Sequence, residues 1–255
     1  MEKEINWLLK EKYHGKPNTA FYKDIERLKK GEPLGYVIGF TDFLGCKIDV
    51  SKKPLIPRPE TEFWTQGAIE KIYSDSRSFG NRSIRVLDIF AGSGCIGISI
   101  MRQIKGLHVT FAEKAEKLIK QIKTNCKLNN IPKTQYKVIQ SDIFLNVKGR
   151  FDYIFANPPY IPKNRKNKIQ PSVLTHEPHE ALFGGSDGLL YIRKFLAEAK
   201  NFLNKNGKIY MEFDPPQKKE IEVIIKNYGY KNYRFHKDQY RKWRWVEVWL
   251  VSSNT

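Results

Sequence analysis

The tetrapeptide Asn157-Pro158-Pro159-Tyr160 carries acceptor groups that suit chemistry on a planar NH2 group. Proline has no N–H and a fixed φ, so the Pro-Pro pair presents its carbonyl oxygens as rigid acceptors. The Asn157 side chain adds a further acceptor, and two acceptors can hold both hydrogens of an amide or an exocyclic amine. Holding them would free the delocalised lone pair of the nitrogen, so that positioning and electrostatics supply the rate. An ordinary stop at the end of a strand is the alternative interpretation.

A glycine-rich turn at residues 88–97 follows an apolar strand and opens a predicted helix, where the backbone can approach a ligand closely. Asp88 precedes the glycines, where an amino-acid ammonium group could be paired. Glu113 ends the next strand, where a carboxylate can accept both hydroxyls of a ribose. Asp142 follows a third strand, where an adenine amino group could be held. Any one of these acids could be a turn or cap residue, but together they favour an adenosine-containing ligand.

The position of Asp88 before the glycines favours S-adenosylmethionine over NAD as that ligand. The predicted cofactor-binding residues are Asp88, Phe90, Ala91, Gly92, Ser93, Gly94, Glu113, Ser141, Asp142 and Asn157.

Hydrophobic periodicity predicts the elements that position these residues. Residues 1–31 form two short helices, and residues 36–50 form a β-hairpin with strands at 36–40 and 43–50 and a turn near Thr41-Asp42. From residue 60 onwards, helices and strands alternate, which predicts an α/β fold with a mostly parallel sheet and helices on both faces. The predicted strands are 84–89, 108–112, 136–141, 151–156, 207–213, 230–238 and 243–252, and the predicted helices are 60–73, 94–104, 115–129, 187–203 and 216–228, with a long loop before residue 187.

Composition narrows the class of protein. The chain has 255 residues with 40% hydrophobic and 13% aromatic content, which predicts a folded domain rather than a disordered chain. Its three cysteines are far apart and fit neither a disulfide framework nor a metal site, so we expect free thiols and no metal. The N-terminus lacks the apolar core of a signal peptide, and no stretch is long enough to span a membrane. We therefore expect a cytoplasmic protein without a membrane partner.

The net charge of +18 has two interpretations of equal weight. A basic surface is consistent with proximity to RNA or the ribosome. It is equally consistent with a Lys- and Asn-rich composition that keeps the protein soluble, because the lysines are scattered. Residues 163–168 form the one low-complexity basic patch.

The chain resembles the HemK/PrmC-type peptide chain release factor glutamine N5-methyltransferases over residues 31–248. Four stretches carry the resemblance: residues 31–39, residues 55–62 with the run Pro57-Arg58-Pro59-Glu60-Thr61-Glu62, residues 157–161, and residues 176–189 with Glu177-Pro178 and Gly184-Gly185-Ser186-Asp187-Gly188-Leu189. The tetrapeptide is shared with adenine and guanine N-methyltransferases, whereas the second and fourth stretches are more particular to this family.

The resemblance implies a Rossmann-like class I S-adenosylmethionine-dependent methyltransferase with a seven-stranded mixed sheet. It implies a short N-terminal helical segment at residues 1–33, a β-hairpin linker at 34–57 and a catalytic domain at 58–255. The implied substrate is the side-chain amide of the Gln in the Gly-Gly-Gln loop of a release factor, and we expect a monomer. The implied catalytic residues are Asn157, Pro158, Pro159 and Tyr160, and the implied substrate-binding residues are Arg58, Glu60, Thr61, Asn157, Pro158, Tyr160 and Glu177.

Three departures from the family pattern stand out. Only 30 residues precede Gly31, where the family usually carries a longer helical bundle, so we expect a reduced or different docking of the partner. Phe90 and Ala91 stand where the family commonly has Gly and a small hydroxyl residue. Asp214 stands where the pattern after the fifth strand has Gly, although Glu212 and Gln217 match their positions.

Two alternatives use the same residues. A nucleic-acid methyltransferase acting on adenine N6 or guanine N2 would stack Tyr160 on a flipped or single-stranded base. The 95 residues after Tyr160 leave little room for a base-reading domain. A non-catalytic S-adenosylmethionine-binding protein is the second alternative, and the presence of Asp88, Glu113 and Asn157 argues against it.

Overall fold

The computed structural model describes residues 1–76 and 82–250. The chain begins with three helices, α1 (Glu2–Tyr13), α2 (Thr19–Lys29) and α3 (Leu34–Ile38). Asn18 caps α2 by accepting the N–H of Phe21 at 3.0 Å. The apolar faces of the three helices form a small core of their own, built around Leu8, Phe21, Leu28 and Val37.

A two-stranded hairpin follows, with β1 (Phe40–Phe43) paired antiparallel to β2 (Cys46–Asp49). The predicted hairpin was wrong in its first strand and its turn. Residues 36–38 belong to α3, because Pro33 precedes a helical turn that Gly39 ends in the left-handed conformation. The turn lies at Leu44-Gly45, where both residues have a positive φ, as two-residue hairpin loops require.

The sheet that positions the site has seven strands in the order β5-β4-β3-β6-β7-β9-β8. β3 to β7 run parallel, and β9 is antiparallel to both of its neighbours. The strands are β3 (Ile84–Ile89), β4 (Leu107–Glu113), β5 (Tyr136–Gln140), β6 (Phe151–Ala156), β7 (Leu203–Glu212), β8 (Asn232–Lys237) and β9 (Trp243–Trp249). The predicted fold class, a seven-stranded mixed sheet with helices, is confirmed.

Helices cover both faces of this sheet and create two cores. One core contains residues of α4 (Pro59–Ser76), α5 (Cys95–Gln103) and α6 (Glu116–Leu128), together with the hairpin. The other contains residues of α9 (Leu190–Ala199) and α10 (Lys218–Asn227). From Tyr153 to Ala156 the side chains of β6 alternate between these cores, and every residue from 151 to 156 is buried.

The predicted long loop after β6 contains local structure. Between the tetrapeptide at residues 157–160 and α9 lie a 3-10 segment (Lys163–Lys168), α7 (Pro171–His176) and α8 (His179–Leu182). The predicted helix at 187–203 begins only at Leu190, because residues 184–188 form a glycine-rich turn, and it ends in a 3-10 turn at Lys200–Phe202. β7 begins at Leu203, four residues earlier than predicted. No helix among the described residues combines the length and apolarity needed to cross a bilayer.

Candidate functional site

The glycine-rich turn lies at the carboxyl end of β3, as predicted, and Asp88 is buried beneath it. The Asp88 side chain is 1% exposed, and Gly97 N–H at the start of α5 donates to its Oδ2 at 2.9 Å. Burial and, to a smaller extent, the nearby Glu113 carboxylate raise the pKa of this carboxyl group to about 8, although the Gly97 hydrogen bond acts in the opposite direction. Its Oδ1 has no hydrogen-bond partner among the described residues. Asp88 does not line the adjoining cavity, so direct pairing with a ligand ammonium group stays a prediction.

Glu113 ends β4 and forms part of the wall of a cavity of about 490 Å³. Gly92 N–H donates to one of its carboxylate oxygens at 2.9 Å, and Ala115 N–H donates to the other at 2.8 Å. Burial raises the pKa of Glu113. Each oxygen keeps a lone pair beyond these bonds, so the carboxylate can accept a pair of ligand hydroxyls.

The remaining wall of this cofactor cavity combines apolar and charged side chains. The residues that line it are Leu55, Phe90, Gly92, Ala112, Glu113, Lys114, Ala115, Lys117, Leu118, Ser141, Asp142, Ile143, Asn157, Pro159, Pro178, Glu180, Ala181 and Tyr191. Asp142 is exposed at one end and accepts a hydrogen bond from Lys114 Nζ at 2.8 Å. The Ser141 hydroxyl is buried and donates to the Ile143 carbonyl at 2.7 Å, which shapes the loop beneath Asp142.

Phe90 is the departure from the family pattern that touches the cavity directly. Its φ is 59°, a left-handed conformation that is rare for an aromatic residue and that glycine adopts freely. The ring packs edge-on against Tyr191 and Phe195 of α9, at centroid distances of 6.2 and 6.3 Å. Phe90 thus lines the cavity and also packs against the core.

Three of the predicted cofactor-binding residues lie in the glycine-rich turn and do not line the cavity. Ala91 and Ser93 are buried, and the Ser93 carbonyl accepts a hydrogen bond from Asn125 of α6 at 2.9 Å. Gly94 adopts a φ of 79° at the N-cap of α5. These residues hold the shape of the turn, and a direct contact with a ligand stays a prediction for them.

The tetrapeptide after β6 separates the cofactor cavity from a second cavity of about 380 Å³, which we call the acceptor cavity. Pro159 lines the first, whereas Pro158 and Tyr160 line the second, and Asn157 lines both. The acceptor cavity is lined by Leu55, Arg58, Asn157, Pro158, Tyr160, Ile161, Ile169, Gln170, Val173, Ala181 and Leu182. A planar NH2 group entering from this side would therefore meet Asn157 where the two cavities adjoin.

The glycine-rich turn before α9 packs directly on this loop. A Cβ at Gly184 would collide with the Pro159 carbonyl oxygen, and a Cβ at Gly188 would collide with the Tyr160 carbonyl oxygen. Gln217 Nε2 donates to the same Tyr160 oxygen at 2.8 Å. The turn at residues 184–188 thus packs against the backbone of the tetrapeptide.

Arg58 and Glu177, both predicted to bind substrate, bind each other. Arg58 Nη2 lies 2.6 Å from Glu177 Oε1, and Ile56 N–H donates to Glu177 Oε2 at 3.2 Å. Glu177 is 4% exposed and does not line either cavity, whereas Arg58 lines the acceptor cavity. Glu60 lines neither cavity. Thr61 is buried beside the tetrapeptide, where its Oγ1 accepts a hydrogen bond from Asn157 Nδ2 at 3.3 Å.

Glu212 is the functional candidate to which the sequence assigned no role. It ends β7 at the same edge of the sheet and is 1% exposed. Burial raises its pKa, although the hydroxyl of Thr61, the indole N–H of Trp64 and the hydroxyl of Tyr160 donate to it. Its position in the sequence could have identified it, since it is a fourth acid at the carboxyl end of a parallel strand on this edge. Burial and the Glu212 carboxylate together raise the pKa of Tyr160 far above its usual value, so Tyr160 remains a neutral donor.

The hydrogen-bond acceptors and the apolar surface of the cofactor cavity fit S-adenosylmethionine. Glu113 offers spare lone pairs to hydroxyl groups, and Phe90, Leu118 and Ile143 offer apolar surface to a purine ring. No group of three or more His, Cys, Asp or Glu side chains within residues 1–76 and 82–250 is arranged to hold a metal ion.

The chain is similar in sequence to known methyltransferases. A family model described as the methyltransferase small domain matches residues 76–229. A release factor glutamine methyltransferase from Thermodesulfovibrio yellowstonii is 37% identical over 215 residues, which cover 84% of this chain and 75% of that protein. One from Bacillus anthracis is 34% identical over 217 residues, which cover 85% and 76%.

Solved structures resemble the chain in fold. The catalytic domain of hMettl16, crystallised with the MAT2A 3′UTR hairpin 6, superposes with a TM-score of 0.65 at 16% identity. The match covers 83% of this chain and 78% of that chain. At this identity the likeness concerns the fold alone.

Proposed function

The chain belongs to the release factor glutamine methyltransferase family, and on that premise we propose that it methylates the side-chain amide nitrogen of a glutamine in a peptide chain release factor. The glutamine we propose is that of the Gly-Gly-Gln loop. S-adenosylmethionine supplies the methyl group when it is bound. The observation that carries the proposal is the position of Asn157 between the cofactor cavity and the acceptor cavity.

On the cofactor side, we propose that Glu113 accepts the ribose hydroxyls and that Phe90 and Ile143 contact the adenine. Asp142 and Ser141 lie at the same end of the cavity, where the adenine amino group would be held. Asp88 supports this arrangement from below, because it fixes the start of α5 through Gly97.

On the acceptor side, the chain contributes hydrogen-bond acceptors rather than a base. Among the described residues, no donor is directed at the Asn157 Oδ1 or the Pro158 carbonyl, and Asn157 Nδ2 is already occupied by Thr61. These two oxygens are available to hold both hydrogens of a primary amide. Fixing the hydrogens orients the nitrogen towards the cofactor cavity and weakens amide resonance, which is the activation that a poor nucleophile needs.

The oligomeric state, the cellular compartment and the neighbouring molecules are also part of what we propose. We propose a monomer that works in the cytoplasm, in proximity to RNA or the ribosome. The net charge of +18 and three buried free cysteines support this setting.

The decisive experiment incubates the protein with methyl-labelled S-adenosylmethionine and either a purified release factor or total RNA. We expect label in the release factor, and we expect none when the loop glutamine of that factor is replaced by alanine. Label in RNA alone would instead support an adenine or guanine methyltransferase. Absence of label in either, with cofactor binding intact in calorimetry, would support a non-catalytic binding protein.

The matched protein variant is Asn157→Ala. Because Asn157 has no charge and forms only one part of the cofactor wall, we expect cofactor affinity to change less than about threefold. We expect kcat to fall by about 100-fold or more, since half of the acceptor pair is lost. A large loss of cofactor affinity with kcat retained would contradict this role.

A further inference from the structure

Glu212 receives hydrogen bonds from two segments that flank the site. From α4, the Thr61 hydroxyl donates at 2.6 Å and the Trp64 indole N–H donates at 2.7 Å to the same carboxylate oxygen. From the catalytic loop, the Tyr160 hydroxyl donates at 3.0 Å to the other oxygen. A buried carboxylate with three donors is held in one orientation, so it fixes these two segments relative to β7.

The Thr61 hydroxyl transmits this orientation to Asn157. A hydroxyl group has one proton, and Thr61 donates that proton to Glu212. Its oxygen therefore presents only lone pairs to Asn157, and it accepts a hydrogen bond from Asn157 Nδ2 at 3.3 Å. An asparagine amide has its donor and its acceptor at opposite corners, so engagement of Nδ2 leaves Oδ1 free to accept.

We infer that Glu212 is a positioning residue that orients Asn157, through Thr61, and Tyr160, directly. The inference rests on the proposed function, because it explains how the loop keeps an acceptor directed at the substrate amide. Without Thr61, the Asn157 amide can rotate by 180° and present its NH2 group to the NH2 group of the substrate. Two donors then face each other, and the amide hydrogens lose one of their two acceptors.

The test compares Thr61→Val, which removes the hydroxyl at constant shape, with Thr65→Val. Thr65 is a matched control because it lies on α4, is fully buried, and its hydroxyl has no hydrogen-bond partner among the described residues. We expect Thr61→Val to lower kcat by about 10- to 100-fold with KM for the release factor changed less than about threefold. Thr61→Ser should restore most of the lost kcat. We expect Thr65→Val to retain the wild-type kcat.

A merely structural role would give a different pattern. It would lower the melting temperature of Thr61→Val while leaving kcat intact at temperatures well below that melting point. Equal losses of kcat in Thr61→Val and Thr65→Val would also overturn the inference, because the loss would then not be specific to the Thr61 hydroxyl.

A double-mutant cycle tests whether Thr61 acts through Asn157. In an Asn157→Ala background, Thr61→Val should change kcat by less than about twofold, because the group that it orients is already gone. A loss of kcat as large as in the wild-type background would show that Thr61 acts independently of Asn157. It would overturn the inference that Thr61 orients Asn157.

A measurement without substrate separates this inference from the proposed function. The side-chain NH2 signals of Asn157, followed by NMR in 15N-labelled protein, should shift and exchange faster in Thr61→Val and in Glu212→Gln. If wild-type protein does not methylate a release factor, the proposed function fails. This measurement still decides whether Glu212 and Thr61 orient Asn157. Unchanged Asn157 signals in both variants would overturn the inference.

Discussion

Replacement of Asp88 by asparagine should stabilise the ligand-free protein at alkaline pH. The Asp88 carboxyl group is buried, accepts one hydrogen bond from Gly97 and leaves Oδ1 without a partner. An asparagine oxygen can accept the same Gly97 N–H and carries no charge to desolvate. The variant therefore keeps the structural contact while it removes the titration.

The sign and size follow from proton linkage. Burial raises the pKa of Asp88 to about 8, whereas an unfolded aspartate titrates near 3.9. Between these values the folded protein keeps a proton that the unfolded chain releases, so the free energy of unfolding falls as pH rises. One pKa unit corresponds to about 1.4 kcal/mol, so raising the pH from 5.5 to 8 costs the wild type about 3 kcal/mol relative to Asp88→Asn. For a chain of this size that is a difference of roughly 6–12 °C in melting temperature.

The assay is thermal unfolding of the two proteins without cofactor in matched buffers from pH 5 to 9. The difference between their melting temperatures should grow with pH and level off above about pH 8. Asp142→Asn serves as a control, because that carboxylate is exposed, and its surface ion pair with Lys114 is worth at most about 1 kcal/mol. Parallel curves for the wild type and Asp88→Asn, or a difference that shrinks with rising pH, would refute the reasoning.

Two further substitutions test the cofactor wall and the support of the loop. Glu113→Gln should weaken S-adenosylhomocysteine binding by about 10- to 100-fold in calorimetry, because an amide NH2 replaces one acceptor of the ribose hydroxyls; unchanged affinity would exclude the assigned role. Gly188→Ala should lower both melting temperature and kcat, because its methyl group would collide with the Tyr160 carbonyl. Gly67→Ala on α4 is the control, since a Cβ there meets nothing within 4 Å, and it should be neutral or slightly stabilising.

The parallel strands could be predicted because the sequence patterns that indicate them lie within each strand and its adjoining turns. The bounds of β3 and β6 were predicted without error, since apolar runs end in turns at both strands. The hairpin was harder, because apolar residues 36–38 suit a strand and a short helix equally. The flanking Pro33 and Gly39 decide for the helix, and a tight turn at Leu44-Gly45 requires a positive φ at a leucine.

For the site, strand ends could be predicted, whereas side-chain directions could not. Glu113 and Asn157 both line the cofactor cavity, whereas their predicted roles stay predictions. Asp88 stands at an equivalent strand end, yet its carboxyl group lies beneath the turn. Other side chains of the site take partners from remote segments, which local sequence patterns do not indicate: Glu177 meets Arg58 across 119 residues, and Glu212 meets Thr61 across 151.

The ion pair of Glu177 with Arg58 has a consequence for the acceptor cavity. Glu177 lies between α7 and α8, whereas Arg58 and Ile56 lie in the connector that leads into α4. Loss of Arg58 would leave the almost fully buried carboxylate without charge compensation, so the ion pair joins these two segments at this point. Since Arg58 lines the acceptor cavity and Glu177 does not, we predict that Glu177 affects substrate binding by holding Arg58 in place rather than by touching the substrate itself.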